Sequence, residues 1–593
     1  MAAFDGAWEV SAGRVISIAK VAAGAGWRYY FRGVMAGDGP RPAGKALRAA
    51  QEEAGVPPGR WTGRGPAALG LASGETVTER QAELLLGEGR HPDADRIERE
   101  LQAAGADPAA VRRATVLARP IEHIDSPVLA VDLVFRAPPT AHALWALADD
   151  ATRRVLEECH EIARDGTLAR LEESVARVRW GSGGGHQAPV KDGLVVAVFR
   201  HHESRSGRPL LHDHAVLSVK VRRPDGTWGN LATADLFENV VAADALYTLL
   251  FMEEVSARLG VAWEPREVTP GKRPVMEIAG VPHELIGWQS TRRQQIEHAY
   301  EDQLQQYRSD HGHEPGERAR YKLALIAADR TRPPKGIPRT LPELRERWRR
   351  SAVHAVGADV VDRLLETARA AATAVWARVR PVVDLALAAV ETVAVVYVMR
   401  GAFQHRHLLA EARRHLTYVL RGRRHEPGLD EAIVRAAVDG CTRPVGRALT
   451  ADFRYLYPRE SDGRAVVRPL TRHRTASRYE RARLAGDALT TRVRASRRSR
   501  RLASRSLPHA VAIPAAPPRE GSHHGREKQQ TTDLAAAEDT RRFILTAARL
   551  RGGVKERAAS DPPARPAAPT KPPHTQQSPG PVPGRGSTPG RTV

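Results

Sequence analysis

The run L-L-H-D-H-A-V-L-S-V, residues 210–219, sets two histidines, His212 and His214, two positions apart on an apolar stretch that reads as a strand. Side chains two apart on a strand leave the same face, so both imidazoles enter one pocket. A third donor stands just upstream, at His201 or His202, where the apolar run Leu194–Phe199 ends. Three convergent imidazoles make a metal site with positions left open for a substrate. With 23 histidines in the chain, an H-x-H pair also arises by chance, and spacing alone leaves that competing explanation standing.

The rest of the composition narrows the setting. A chain of 593 residues has room for roughly three or four domains. A hydrophobic content of 42% supports a core in part of it, while 42 prolines and 49 glycines imply long unfolded stretches. Only Cys159 and Cys441 occur, which excludes a disulfide framework or a cysteine-based zinc module and fits a reducing cytoplasm. The start, M-A-A-F-D-G-A-W-E-V, lacks a signal-peptide pattern. The most lipid-like run, Val382–Met399, contains Asp384 and Glu391 and reads as a buried helix, so no membrane insertion is expected. Residues 451–593 carry 29 Lys+Arg against 12 Asp+Glu, so most of the net charge of +22 sits there. Such a tail suits phosphate contacts with nucleic acid, or is simply solvated.

Along the chain, Arg14–Val21 alternates as a first strand, followed by Trp27, Tyr29, Tyr30 and Phe31. Adjacent residues of one helix cannot both face inward, so at least one of Tyr29 and Tyr30 is expected in a cleft or on the surface. Gly39–Ala46, G-P-R-P-A-G-K-A, resembles a phosphate loop but lacks its final hydroxyl and follows no apolar strand, so an ATP-driven motor is not expected. Thr78 is placed to cap a helix over Thr78–Gly87. Val128–Phe135 is a buried strand holding one acid, Asp132, which needs a partner, a job or a place at a strand edge. Thr140–Val178 has the spacing of long helices, broken near Asp165-Gly166, and Trp180–Gly185 is a glycine-rich turn. Residues from Trp288 to about Arg424 are nearly all helical, and beyond Arg497 only Asp539–Arg551 keeps helical spacing. Strands alternating with helices, then helices alone, define an α+β protein.

These stretches together resemble the MobF-type conjugative relaxases of the TrwC/TraI group. The matching pieces run in family order: V-I-S-I-A-K-V and the tyrosine pair, P-G-R-W-T-G-R-G-P-A-A-L-G-L, G-E-G-R-H-P-D-A, D-L-V-F-R-A-P-P-T, F-R-H-H-E-S-R, L-L-H-D-H and the helical H-G-H-E-P…R-Y-K-L-A. They span residues 14 to about 350, and a weaker likeness around His407–Leu416 extends toward 490. The resemblance implies a histidine-metal endonuclease fold, an antiparallel sheet flanked by helices. It assigns His201, His212 and His214 as ligands of a divalent ion, Mg2+ or Mn2+. Tyr29 falls on the nucleophile, with Tyr30 as the only spare, and Asp132 on the acid that orients the site or takes the tyrosine proton.

The implied activity is nicking of single-stranded DNA at an origin of transfer through a 5′-phosphotyrosine intermediate, with rejoining by the reverse transesterification. The expected partners are that DNA and a separate helicase or coupling protein. The alternative is a decayed relative that binds DNA without cutting it. Two departures bear on this. The region after the tyrosine pair, R-G-V-M-A-G-D-G, has no second pair, and Pro138-Pro139-Thr140 replaces the family's P-K-S and its lysine. The expected divisions are a catalytic domain at 1–285, a helical extension at 286–425, a linker at 426–495 and a largely disordered basic tail at 496–593.

Overall fold

The computed structural model describes residues 15–32, 57–118, 127–180, 186–204, 206–268, 273–333, 339–378, 382–400 and 403–444, with short strands at 466–469 and 510–512. The loop Gly39–Ala46, most of the Trp180–Gly185 turn, the Asp539–Arg551 patch and the basic tail other than 510–512 lie outside the described residues.

Five strands form the central sheet: β1 (Ile16–Ala22), β2 (Arg60–Thr62), β3 (Val128–Arg136), β4 (Val196–Glu203) and β5 (Pro209–Ser218). Their order is β1-β3-β5-β4-β2, and every neighbouring pair is antiparallel. Because side chains alternate across a strand, register divides the sheet into two faces. Val131, Leu133, Phe135, Val196, Val198, Leu211, Ala215 and Leu217 belong to one large core. Asp132, Val134, Arg136, Phe199, His201, His212 and His214 leave the other face, as the pairings Arg136↔His212, Val134↔His214, Phe199↔His214 and His201↔His212 require.

Helices cover the apolar face. The short α1 (Arg28–Arg32) belongs to the opposite side, while α2 (Pro139–Leu147), α3 (Asp150–Ser174), α4 (Thr233–Leu259) and α5 (Leu341–Val356) contribute to the large core. Phe135, Tyr247, Phe251 and Trp348 are essentially inaccessible there. Each large apolar side chain so buried contributes about 1.5–3 kcal/mol, which makes this side a firm backing for the polar face. Leu344, Trp348 and Ala352 of α5 share that core with the sheet.

The polar face is closed by a smaller cluster in which Trp27, Tyr30 and Phe31 pack with Trp61, Phe199 and Val216. Close approach here depends on two glycines of the G-R-W-T-G-R-G stretch. A Cβ on Gly59 would sit 2.3 Å from Cε1 of Phe199, and one on Gly65 would sit 2.6 Å from the Leu194 carbonyl.

The expected helix break near Asp165-Gly166 is corrected. The chain breaks at Ala148-Asp149, where the Asp149 side chain accepts from the Thr152 amide at 2.8 Å and starts α3. Gly166 lies inside α3, where a Cβ would meet Leu250 of α4 at 3.0 Å, so it serves close helix packing. Val178 belongs to a strand, Arg177–Trp180.

Thr78 caps its helix in a reciprocal pair with Gln81. The lipid-like run becomes a strand, Val382–Asp384, and a helix, Leu385–Arg400, packed with helices His405–Leu420 and Leu429–Cys441 around Leu249. Glu391 is buried there and lies 3.0 Å from Nδ1 of His415. Among the described residues no helix is long and apolar enough to cross a membrane.

Candidate functional site

Strand β5 supplies His212 and His214, and β4 supplies His201 directly opposite His212. The first β4 run was expected to end at Phe199, but pairing continues to Glu203 and brings His201 into the ladder. The three ring centroids stand 4.8 Å (His201–His214), 5.3 Å (His201–His212) and 5.3 Å (His212–His214) apart. One ring nitrogen from each lies within 4.8 Å of the others, and all three side chains are buried.

One nitrogen of each ring is committed to a hydrogen-bond acceptor. Nδ1 of His212 donates to the Leu210 carbonyl at 2.8 Å, Nδ1 of His214 to Oδ2 of Asp132 at 2.9 Å, and Nε2 of His201 to the Tyr30 carbonyl at 3.2 Å. Such contacts set the tautomer and leave the other nitrogen as a lone pair. Nδ1 of His201 and Nε2 of His214 are buried without a hydrogen-bond partner. Burial, then the neighbouring His214, pushes His201 down to about 3. Burial, then His214 and His201, holds His212 well below the usual imidazole range. Neutral imidazoles with unmet acceptors are what a cation requires, so this donor set fits a divalent ion.

Asp132 lies at the rim of the same group, with Oδ1 buried and unpartnered. Burial first, then the charge and hydrogen bonding of Asp132, push the Tyr30 phenol far above its ordinary value. Tyr30 is buried and stacked on Phe199 at 5.5 Å. Tyr29, one residue earlier in α1, is half-buried, with its ring 5.6 Å from His214 and 6.1 Å from His201. The structure therefore brings Tyr29, Tyr30, Asp132, His201, His212 and His214 together. His202 does not join them: it packs on Trp145 at 5.8 Å.

Sequence reasoning overlooked Asp213. It sits between the two histidines, faces the opposite side of the sheet and is fully buried. Arg200 donates to it through Nε and Nη2, both at 2.9 Å, Arg164 through Nη1, and Nε2 of His160 lies 3.2 Å away. Burial alone would raise this carboxyl, yet Arg200, His160 and Arg164 hold it well below its usual range. Strand alternation was the available signal: an acid between two inward histidines must enter the other layer and find a cation there.

Comparison with known proteins matches residues 23–355 to a family model described as TrwC relaxase. The multifunctional conjugation protein TraI of Escherichia coli strain K12 is 29% identical over 236 residues, covering 39% of this chain and 12% of TraI. A second Escherichia coli TraI is 28% identical over 245 residues, covering 40% and 12%. The match thus spans about an eighth of the length of these curated relatives. Among solved structures, a metal-bound conjugative relaxase TrwC in complex with oriT DNA aligns over 57% of this chain and 98% of its own, at 23% identity and a TM-score of 0.41. A metal-free TrwC complex covers 50% and 90%, at 24% and 0.38. These structural likenesses are too distant to carry residue roles.

Proposed function

Because the chain belongs to the TrwC relaxase family, we propose that it is a conjugative relaxase that nicks single-stranded DNA at an origin of transfer, with Tyr29 as nucleophile. The observation that carries this reading is the Tyr29 ring standing 5.6 Å from His214 at the edge of the three-histidine group. Tyr30 is the weaker candidate, since it is buried and its phenol holds its proton tightly.

A phenol of pKa about 10 is a poor nucleophile at neutral pH and needs a base. Asp132, with Oδ1 unpartnered, is the carboxylate in this pocket to take the Tyr29 proton. The Tyr29 oxygen bonds to phosphorus as the bond from phosphorus to the 3′ oxygen breaks. A 5′-phosphotyrosine results, and the leaving 3′ oxygen takes up a proton from solvent to become a 3′ hydroxyl. One phosphodiester replaces another, so attack by a 3′ hydroxyl reverses the step and rejoins the strand without nucleotide hydrolysis.

His201, His212 and His214 would hold the divalent ion, which when bound supplies positive charge against the free oxygens of the scissile phosphate. Asp132 fixes the His214 tautomer through the 2.9 Å contact. Of Mg2+ and Mn2+, an all-imidazole set holds Mn2+ more tightly. The catalytic unit, extension, linker and tail keep the divisions 1–285, 286–425, 426–495 and 496–593 in this proposal. The reaction belongs to the cytoplasm. A separate helicase or a DNA translocase/coupling protein is the further partner in this proposal.

The test is incubation with pooled single-stranded origin oligonucleotides and Mn2+ or Mg2+, followed by gel separation and mass spectrometry of the covalent adduct. An adduct on Tyr29 that Tyr29→Phe abolishes is expected. Identical patterns from the two proteins would leave a DNA-binding relative that does not cut.

A further inference from the structure

Arg136 ends β3 directly opposite His212, on the face of the sheet that carries the histidines. Side chains so opposed are close neighbours, with Cβ atoms about 5 Å apart, and the charge of Arg136 acts on both His212 and His142. Its Nε is sealed from solvent and has no hydrogen-bond partner, and among the described residues no carboxylate forms an ion pair with its guanidinium. Asp244 is the acid whose charge reaches it. That carboxylate's Oδ1 already accepts from the Val15 and Ile16 amides at 2.8 and 2.7 Å.

Three other arginines that reach the interior are matched to acids. Arg164 and Arg200 share Asp213, and Nε of Arg413 lies 2.8 Å from Asp430. A sealed donor without an acceptor is costly, and among the described residues none meets the Nε of Arg136. The same face of the sheet thus carries unmet acceptors at His201 Nδ1, His214 Nε2 and Asp132 Oδ1 and, on the residue registered opposite His212, an unmet donor at Arg136 Nε. Acceptors call for a cation and the donor for an anion. A planar guanidinium matches the oxygens of a phosphodiester.

We propose that Arg136 binds a non-bridging oxygen of the DNA phosphodiester held at the histidine site. This rests on the relaxase reading, and it adds a substrate contact to that site.

The test compares wild type, Arg136→Gln and Arg136→Lys as full-length chains. The probe is the labelled oligonucleotide recovered from the Tyr29 adduct, or oligo-dT if no adduct forms. Binding is measured in chelator over a range of salt concentrations, and thermal unfolding alongside. Arg136→Gln is expected to bind about 10-fold to 100-fold more weakly. Its plot of log affinity against log salt should be shallower by about 0.7, while Arg136→Lys keeps the wild-type slope. Removing an unpaired charge should leave the melting temperature unchanged or raised. An unchanged slope in Arg136→Gln, or a melting temperature lowered in both variants, would overturn the proposal. Absence of any wild-type adduct would instead count against the relaxase reading, with the slope still reporting on Arg136.

Discussion

Asp132 and His214 meet diagonally across the β3–β5 ladder: Asp132 is registered opposite Val216 and His214 opposite Val134, yet Oδ2 and Nδ1 are 2.9 Å apart. The carboxylate thereby fixes which imidazole nitrogen faces the pocket. Asp132→Ala should weaken Mn2+ binding by about 10-fold to 100-fold, the usual cost of losing a carboxylate behind a metal-bound histidine. Calorimetric titration of the two proteins measures this. Equal affinities would mean that His214 is oriented without Asp132.

His201 and His202 provide a sharper contrast because they are adjacent but face opposite layers. His201 stands 4.8 Å from His214, while His202 packs on Trp145. His201→Ala should abolish measurable Mn2+ binding at concentrations that saturate the wild type. His202→Ala should retain the metal and lose only packing against Trp145. If both lose the metal equally, with both still folded by circular dichroism, the ligand set includes the wrong neighbour.

The pairing of Asp213 with two arginines predicts a stability effect from behind the site. Asp213→Asn leaves Arg164 and Arg200 buried without their shared acid. Breaking a buried ion pair by removing one partner costs about 3–5 kcal/mol, so urea unfolding should shift by that order. A shift within error would show that Asp165 and Glu161, which also contact these arginines, suffice.

The strands and the His212–His214 pair were legible because both depend on a local period. Alternation over Arg14–Val21, the apolar run Val128–Phe135 and the H-x-H spacing specify strands and a shared face without knowledge of partners. Features set by distant contacts were not legible. Gly166 reads locally as a helix breaker, but it sits inside α3 because Leu250 approaches it from a helix far along the chain. Asp213 reads as a residue in a metal motif, but its environment comes from Arg164, 49 positions earlier. The choice between His201 and His202 stayed open on spacing because it depended on how far β4 pairing continues, which the register with β5 decides.

Buried neutral histidines make folding sensitive to acid, and His142 offers a test outside the histidine cluster. Its Nδ1 accepts from the Leu211 amide at 3.1 Å. Burial, then the neighbouring His160 and Arg136, lowers its pKa to about 3, against roughly 6.5 in an unfolded chain. Above the unfolded value neither state carries the proton, and stability is intact. As pH falls from 6.5 toward 3 the unfolded chain binds a proton that the folded one excludes. Unfolding free energy therefore drops by about 1.4 kcal/mol per pH unit for this group. His142→Gln can keep an acceptor for Leu211 without titrating. Between pH 7 and pH 5 the wild type should lose about 2 kcal/mol more than the variant in urea unfolding. Parallel losses would mean that His142 is protonated in the folded state.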